Sequence, residues 1–314
     1  MNNEFKIAVI GSGTMGNGIA HVSAQSGFKT LLIDIDENQL KKALEAIDIN
    51  LDRQIKKKNI SQDEKINTLN NLELTTDLKK CSDSDLVIEA VPEKYDLKVS
   101  IFKKLDKICD QKTIFASNTS SISISDLGNK TKRATKFIGM HFMNPVPIMK
   151  LVEVINTIHT SEQTTKKIIE ISELMKKIPI QCNDYPGFVS NRILMPMINE
   201  AIESLDQGVA DVKNIDGIMK LGMGHPMGPL QLADLIGLDV CKSILEVMLD
   251  GLKNPKYNSP LPQAYVVLSM TTLILIPFYF SNSYNPYPIL LIFILIWISD
   301  TMSYFFGSYF GNTK

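Results

Sequence analysis

The chain has 314 residues, 33 Lys and Arg against 34 Asp and Glu, and a net charge of −1. That length can bury two cores, and the near-zero charge shows no bias toward nucleic acid. Cys81, Cys109, Cys182 and Cys241 are scattered, with no paired ligand spacing and no secretory signal read before the first strand, so they are expected as core thiols in a reducing cytoplasm.

The first predicted element is an apolar strand, Lys6-Ile-Ala-Val-Ile, running into Gly11-Ser-Gly13-Thr14-Met15-Gly16 and a helix-compatible stretch through Gln25. A strand that opens a helix through Gly-x-Gly-x-x-Gly binds a dinucleotide. The first glycine allows the tight turn, the second lets a pyrophosphate approach the backbone, and the third lets helix and strand pack closely. The phosphates then rest on a helix N-terminus. A second strand from Thr30 ends on Asp34, at about the spacing of the group that binds an adenosine ribose. A carboxylate there repels the 2′-phosphate of NADP and no arginine stands beside it, so Asp34 points to NAD. Asp36 is better placed than Asp34 to cap the helix expected over Glu37 to Lys58. Asn50, Arg53 and Lys57 lie toward the cationic end of that helix. Such a run is usually a solvated face, and a lysine there also complements the helix dipole.

Asp85-Leu-Val-Ile-Glu-Ala-Val and Thr113-Ile-Phe-Ala-Ser read as buried parallel strands, and ligands bind beyond the carboxyl ends of such strands. Glu93 and Lys98 follow the first. Ser120 follows the second, with a helix cap as its alternative role. At His141-Phe-Met-Asn144-Pro one strand ends, and Leu151-Val-Glu153-Val-Ile begins the next. The carboxylate can reach the far nitrogen of the imidazole, fix its tautomer and raise its basicity, which makes a general base. A lone His and Glu are more often ordinary surface residues. The glycine loop and the acidic strand end favour the catalytic reading. His21, His159 and His225 lack a comparable carboxylate partner and read as structural.

Strand and helix signals alternate from Lys6 to about Asp184, the pattern of a doubly wound α/β sheet. From Pro186 the text becomes helical, over Gly187 to Gln207, Val212 to Leu221 and Gly228 to Leu252, with Gly208, Gly222 and Gly251 as stops. A nucleotide-binding domain over 1–184 and a helical domain over 185–257 are expected, hinged near Asp184-Tyr-Pro-Gly. Asn191, on pattern alone, is a solvated helix residue.

The glycine loop, the acidic strand end and the His/Glu pair resemble the 3-hydroxyacyl-CoA dehydrogenase family, close to its short-chain 3-hydroxybutyryl-CoA members. So do Ala116-Ser-Asn-Thr-Ser120-Ser, Asp184-Tyr-Pro-Gly-Phe-Val-Ser-Asn191-Arg and Met223-Gly-His-Pro-Met-Gly-Pro-Leu, in register from about Phe5 to about Tyr257. The resemblance implies NAD-dependent interconversion of (3S)-3-hydroxyacyl-CoA and 3-oxoacyl-CoA on a Rossmann domain. His141 would remove the 3-hydroxyl proton while hydride leaves the same carbon, and Glu153 would orient it. Ser120 and Asn191 would hydrogen-bond the reacting oxygen or the thioester, and Asn144 would lie beside nicotinamide and substrate. Gly11, Gly13, Thr14, Met15, Gly16, Asp34, Glu93, Lys98 and Ser120 would contact the cofactor, and Asn50, Arg53 and Lys57 the phosphates of coenzyme A. The helical domain would close the substrate cleft and form a homodimer in the cytoplasm.

After Lys256 the composition breaks: from Tyr257 to Ser299 there is no Asp, Glu, Lys, Arg or His. Ala264 to Phe280 and Pro286 to Ile298 read as membrane helices, with buried core helices as the alternative. The stretch from Phe293 through Asp300 to the final glycine resembles an internal piece of a phosphatidate cytidylyltransferase. Asp300 would match an aspartate of that family's metal-dependent site, but the signature that completes the site is missing, so no metal is expected. The closing helices of the dehydrogenase family are absent, and the tail reads as a chimeric join. Three other classes are weighed. A reductase with a lysine acid/base is disfavoured because no lysine takes the place of His141. A non-catalytic scaffold protein has His141, Glu153 and Ser120 against it, and a membrane enzyme of phospholipid synthesis needs the missing signature.

Overall fold

Short apolar runs, buried along nearly their whole length in the central strands, build the first half of the molecule, in a computed structural model that describes residues 5–252. In chain order the elements are β1 (Lys6–Ile10), α1 (Thr14–Gln25), β2 (Lys29–Ile33), α2 (Glu37–Lys56), α3 (Gln62–Asn70), β3 (Leu72–Thr75), β4 (Leu86–Glu89), α4 (Tyr95–Ile108), β5 (Ile114–Ser117) and α5 (Ile124–Gly128). There follow β6 (Phe137–Phe142), β7 (Leu151–Asn156), α6 (Glu162–Leu174), β8 (Ile178–Asn183), α7 (Ser190–Asp206), α8 (Val212–Met223), α9 (Pro229–Ile236) and α10 (Leu238–Leu252).

The strands form one sheet in the order β3-β2-β1-β4-β5-β6-β7-β8. All neighbours are parallel except β6 and β7. Because side chains alternate across a strand, Ile7 and Val9 enter one hydrophobic cluster while Ala8 and Ile10 enter the other, and Ile88 and Val87 divide the same way. Both faces are therefore buried under helices, as a parallel sheet requires. The doubly wound expectation is met. The strand order reverses between β1 and β4, which is where such sheets bind ligands.

The described residues divide into two units, 5–194 with 247–252, and 195–246. Within the second unit α8 and α9 pack together, and Asp216 of α8 accepts from the backbone N–H groups of Leu230 and Gln231 at the start of α9.

Several expected boundaries move. α2 stops at Lys56 instead of Lys58, because Lys58 takes a left-handed φ of 58°. The helix expected from Gly187 starts at Ser190, since Gly187 and Phe188 both have positive φ. α8 runs through Gly222 and stops at Gly224, whose φ of 70° is the left-handed cap. The single helix expected over Gly228 to Leu252 is two, broken at Gly237 with φ 100°, and Gly251 lies inside the second. Among the described residues no helix is long and apolar enough to cross a membrane. The two expected spans and Asp300 lie outside the described residues.

Candidate active site

At the switch point the backbone does most of the work. Gly11 holds φ 97°, and a Cβ there would stand 2.7 Å from the Ala90 carbonyl oxygen. A Cβ on Gly16 would fall 1.8 Å from Gly11 O, so only glycine lets α1 leave β1 at this angle. Gly13 is different: nothing lies within 4 Å of where its Cβ would point. α1 starts at Thr14 with Gly13 as its N-cap and no side-chain cap. Uncapped N–H groups and the positive end of the helix thus face an open space, which suits a pyrophosphate. A cleft of about 640 Å³ continues from Gly11, Gly13, Thr14 and Met15 past Asp34 and Ile35 to Leu78, Val91, Leu97, Ile101 and Lys104. Its floor is apolar and, among the described residues, Asp34 is its only acidic lining residue, which suits an adenosine half. Asp34 Oδ2 accepts from the N–H and hydroxyl of Ser12 at 2.7 and 2.8 Å, which ties the glycine loop to the end of β2. Asp36, as expected, caps α2 by accepting from Asn38 N.

The sheet's single antiparallel pair holds the second part of the site. His141 on β6 and Glu153 on β7 are direct cross-strand partners, so their side chains leave the same face together. His141 Nδ1 lies 2.7 Å from Glu153 Oε2, and His141 Nε2 lies 3.1 Å from Ser120 Oγ. Both members of the pair are buried. Glu153 also accepts from Ser190 Oγ at 2.7 Å and from the N–H groups of Ser190 and Val189 at 2.9 and 3.3 Å. Burial pushes its carboxyl up, but the hydrogen bonds from His141 and Ser190 outweigh that and hold it below the usual range. An ionised carboxylate only accepts, so Nδ1 carries the proton; in the neutral ring Nε2 is then the acceptor and Ser120 Oγ its donor. Ser190 was not singled out by sequence reasoning; its signal, a serine at the start of a helix, is shared with every ordinary cap. Phe188, the residue with φ 48°, sets its ring 5.8 Å from the imidazole.

The remaining expected residues are distributed unevenly. Asn191 Nδ2 donates to Ser120 O at 2.9 Å, so it braces the serine's backbone. Asn144 is exposed on the loop after β6. Glu93 faces the Ser120 turn and accepts from Ser120 N at 3.0 Å. Lys98, expected at the cofactor, is 1 % exposed, and its Nζ stands 2.6 Å from Glu89 Oε1 and 3.2 Å from both Glu93 Oε2 and Val91 O. Lys98 therefore lies beneath the surface of the cleft rather than projecting into it. On α2, Arg53 donates to Asn50 Oδ1 at 3.3 Å, and Lys57 is exposed at the helix C-cap. Among the described residues no group of His, Cys, Asp and Glu is arranged to hold a metal ion.

Comparison with known proteins assigns the chain to a family. The family model for the 3-hydroxyacyl-CoA dehydrogenase NAD binding domain matches residues 6–185, and that for the C-terminal domain of the same family matches 187–270. The second match passes Tyr257, where the resemblance was expected to end, and enters the first of the two apolar runs. A probable 3-hydroxybutyryl-CoA dehydrogenase of Deinococcus radiodurans is 50 % identical over 257 residues, 82 % of this chain and 92 % of its own length. The mitochondrial hydroxyacyl-coenzyme A dehydrogenase of Sus scrofa is 43 % identical over 264 residues, covering 82 % of each chain. The crystal structure of (S)-3-hydroxybutyryl-CoA dehydrogenase from Ralstonia eutropha superposes with a TM-score of 0.81 at 44 % identity, over 84 % of this chain and 93 % of that one.

Proposed function

Because this chain belongs to the 3-hydroxyacyl-CoA dehydrogenase family and carries that family's NAD binding domain, we propose that it interconverts (3S)-3-hydroxybutyryl-CoA and acetoacetyl-CoA. The enzyme class and the cofactor follow from membership. The short acyl chain rests on the relatives' names, and the assignment of roles rests on one observation: an imidazole held between an ionised carboxylate and a serine hydroxyl.

NAD, when bound along the glycine loop, supplies the hydride acceptor. The chain's own residues handle the proton. Nε2 of His141 is the unprotonated nitrogen and takes the proton of the 3-hydroxyl, while Glu153 keeps Nδ1–H in place and offsets the positive charge that the ring acquires. Ser120 Oγ, which now donates to Nε2, turns its proton to the reacting oxygen when that oxygen takes its place at the ring. Asn191 fixes the Ser120 backbone, and Glu93 fixes the turn on which it stands. The cations Arg53 and Lys57, with Asn50, are proposed to meet the phosphates of coenzyme A.

The purified chain should oxidise NADH in the presence of acetoacetyl-CoA, and should prefer NADH to NADPH because Asp34 closes the ribose end of the cleft. No turnover with any 3-oxoacyl-CoA, or equal use of NADPH, overturns the corresponding part. The charge-free run beyond the family match, residues 271–299, is proposed to associate with membranes. Full-length chain should then float with lipid vesicles, and recovery in the lipid-free fraction argues for a packed globular role instead.

A further inference from the structure

Two fully buried charges take no part in the proton path. Glu89, the last residue of β4, has no exposed surface, and Lys98 of α4 has 1 %. Lys98 Nζ stands 2.6 Å from Glu89 Oε1 and 3.2 Å from Glu93 Oε2. Glu89 is further anchored by Ser117 Oγ at 2.6 Å and by Val91 N at 2.8 Å. Glu93 is half-exposed, with 39 % of its side chain open. Its second oxygen, Oε1, takes four donors of the adjoining turn: the Thr119 hydroxyl, Ser120 N at 3.0 Å, and the N–H and hydroxyl of Ser121 at 3.1 Å each. From that turn Ser120 Oγ reaches His141 Nε2.

Stability gives no reason for the pair. A buried ion pair recovers little beyond its own desolvation, and a neutral pair of similar shape often serves as well. What the pair does supply is orientation. Glu89 fixes the ammonium, the ammonium holds Oε2 of Glu93, and Oε1 is thereby aimed at three consecutive residues of the serine turn. Without the ammonium, a half-exposed carboxylate would rotate toward water and the turn would lose the acceptor for four donors.

We propose that Glu89 and Lys98 are positioning residues for the reaction, holding Glu93 on the 119–121 turn so that the Ser120 hydroxyl stands on His141. This rests on the reading of Ser120 and His141 given above. It predicts a coupling that a merely structural role would not produce, because removing the support and removing the hydroxyl should disable the same group.

The test is a cycle on the full chain, with acetoacetyl-CoA and NADH. The neutral double variant Glu89→Gln/Lys98→Met should fold, as judged by circular dichroism and thermal melting, and is assayed at saturating NADH. Its kcat should fall about tenfold, since misplacing a reacting group costs rate even when the fold survives. Ser120→Ala should cost at least about tenfold in the unmodified chain but less than about threefold in the double variant. Equal losses in both backgrounds, or full activity in the double variant, overturn the positioning role alone. A harmless Ser120→Ala in the unmodified chain overturns the reading of Ser120 and the positioning role with it. Should the double variant not fold, Glu93→Gln, at a half-exposed position, replaces it in the same cycle, and the same outcomes decide.

Discussion

His21 and His141 are both buried histidines of the nucleotide-binding unit, with 0 % and 6 % of their surface exposed, and they stand in opposite surroundings. His141 has a carboxylate 2.7 Å from one nitrogen and a hydroxyl 3.1 Å from the other. His21, inside α1, has no carboxylate beside it: the Gln54 amide lies 3.3 Å from Nε2, and Nδ1 is buried without a hydrogen-bond partner. Burial and the nearby charge of Lys177 push the His21 pKa down to about 4. Burial alone makes a histidine a poorer base. On the proposed reading, what turns a buried imidazole into a usable base is the anion across the strand, itself kept ionised by its hydrogen bonds from His141, Ser190 and the first N–H groups near α7.

The sharpest way to break that comparison is to remove each ring. His141→Gln should lower turnover by at least about two decades, because the hydroxyl proton loses its acceptor, while NADH affinity read by fluorescence stays nearly unchanged. His21→Leu should alter turnover by no more than about twofold. Near-normal turnover in the first variant, or a loss of decades in the second, would reverse the roles.

Next in size is the partner. Glu153→Gln keeps the volume and an acceptor for Ser190 but removes the charge. Turnover should fall about tenfold to a hundredfold, and the pH profile of kcat/KM should shift, since the ring loses the anion that offsets its positive charge. If rate and profile both match the unmodified chain, the carboxylate does nothing more than pack.

The glycine loop is legible in the sequence because its function lives in the backbone: Gly16 is required by a steric clash with Gly11 O that any Cβ would make, and glycine is the only residue without one. The His/Glu pairing is legible as a possibility, but the register His141↔Glu153 is a property of the sheet that no local pattern reports. Residues that act through others are hidden altogether. Glu89 reads as the polar end of a buried strand, and Ser190 as a cap, until Lys98 and Glu153 are brought to them through space. Lys98 shows the converse. A lysine near a strand's carboxyl end looks available to a ligand, and only the fold reveals that α4 turns it inward. The breaks at Gly224 and Gly237 are hard to read for a related reason: each of the nearby glycines is an acceptable stop, and the local pattern does not say which one takes the positive φ.

The smallest expected effect on activity is the one that separates the two histidines by stability. His21 has a folded-state pKa of about 4 against 6.5 for the free side chain, so the folded chain binds its proton less readily than the unfolded one. The sign follows from linkage: above pH 6.5 both states leave the ring neutral and the residue contributes no pH dependence, and from there down to about pH 4 stability falls. Between pH 7 and pH 5 the loss should be about 2 kcal/mol for a shift of this size, readable as an acid-induced drop in the urea midpoint. Glu153, whose carboxyl is held low, contributes in a different window: its stabilisation is present above the ordinary carboxylate pKa near 4.5 and is lost only as pH falls below that value. Urea titrations at pH 7 and pH 5 therefore report on His21 with little contribution from Glu153. In His21→Leu the drop between the two pH values should shrink by about 2 kcal/mol, with turnover nearly unaffected. An undiminished acid sensitivity in that variant would mean that His21 is solvated or partnered in the folded chain, and that its contrast with His141 lies only in the missing carboxylate.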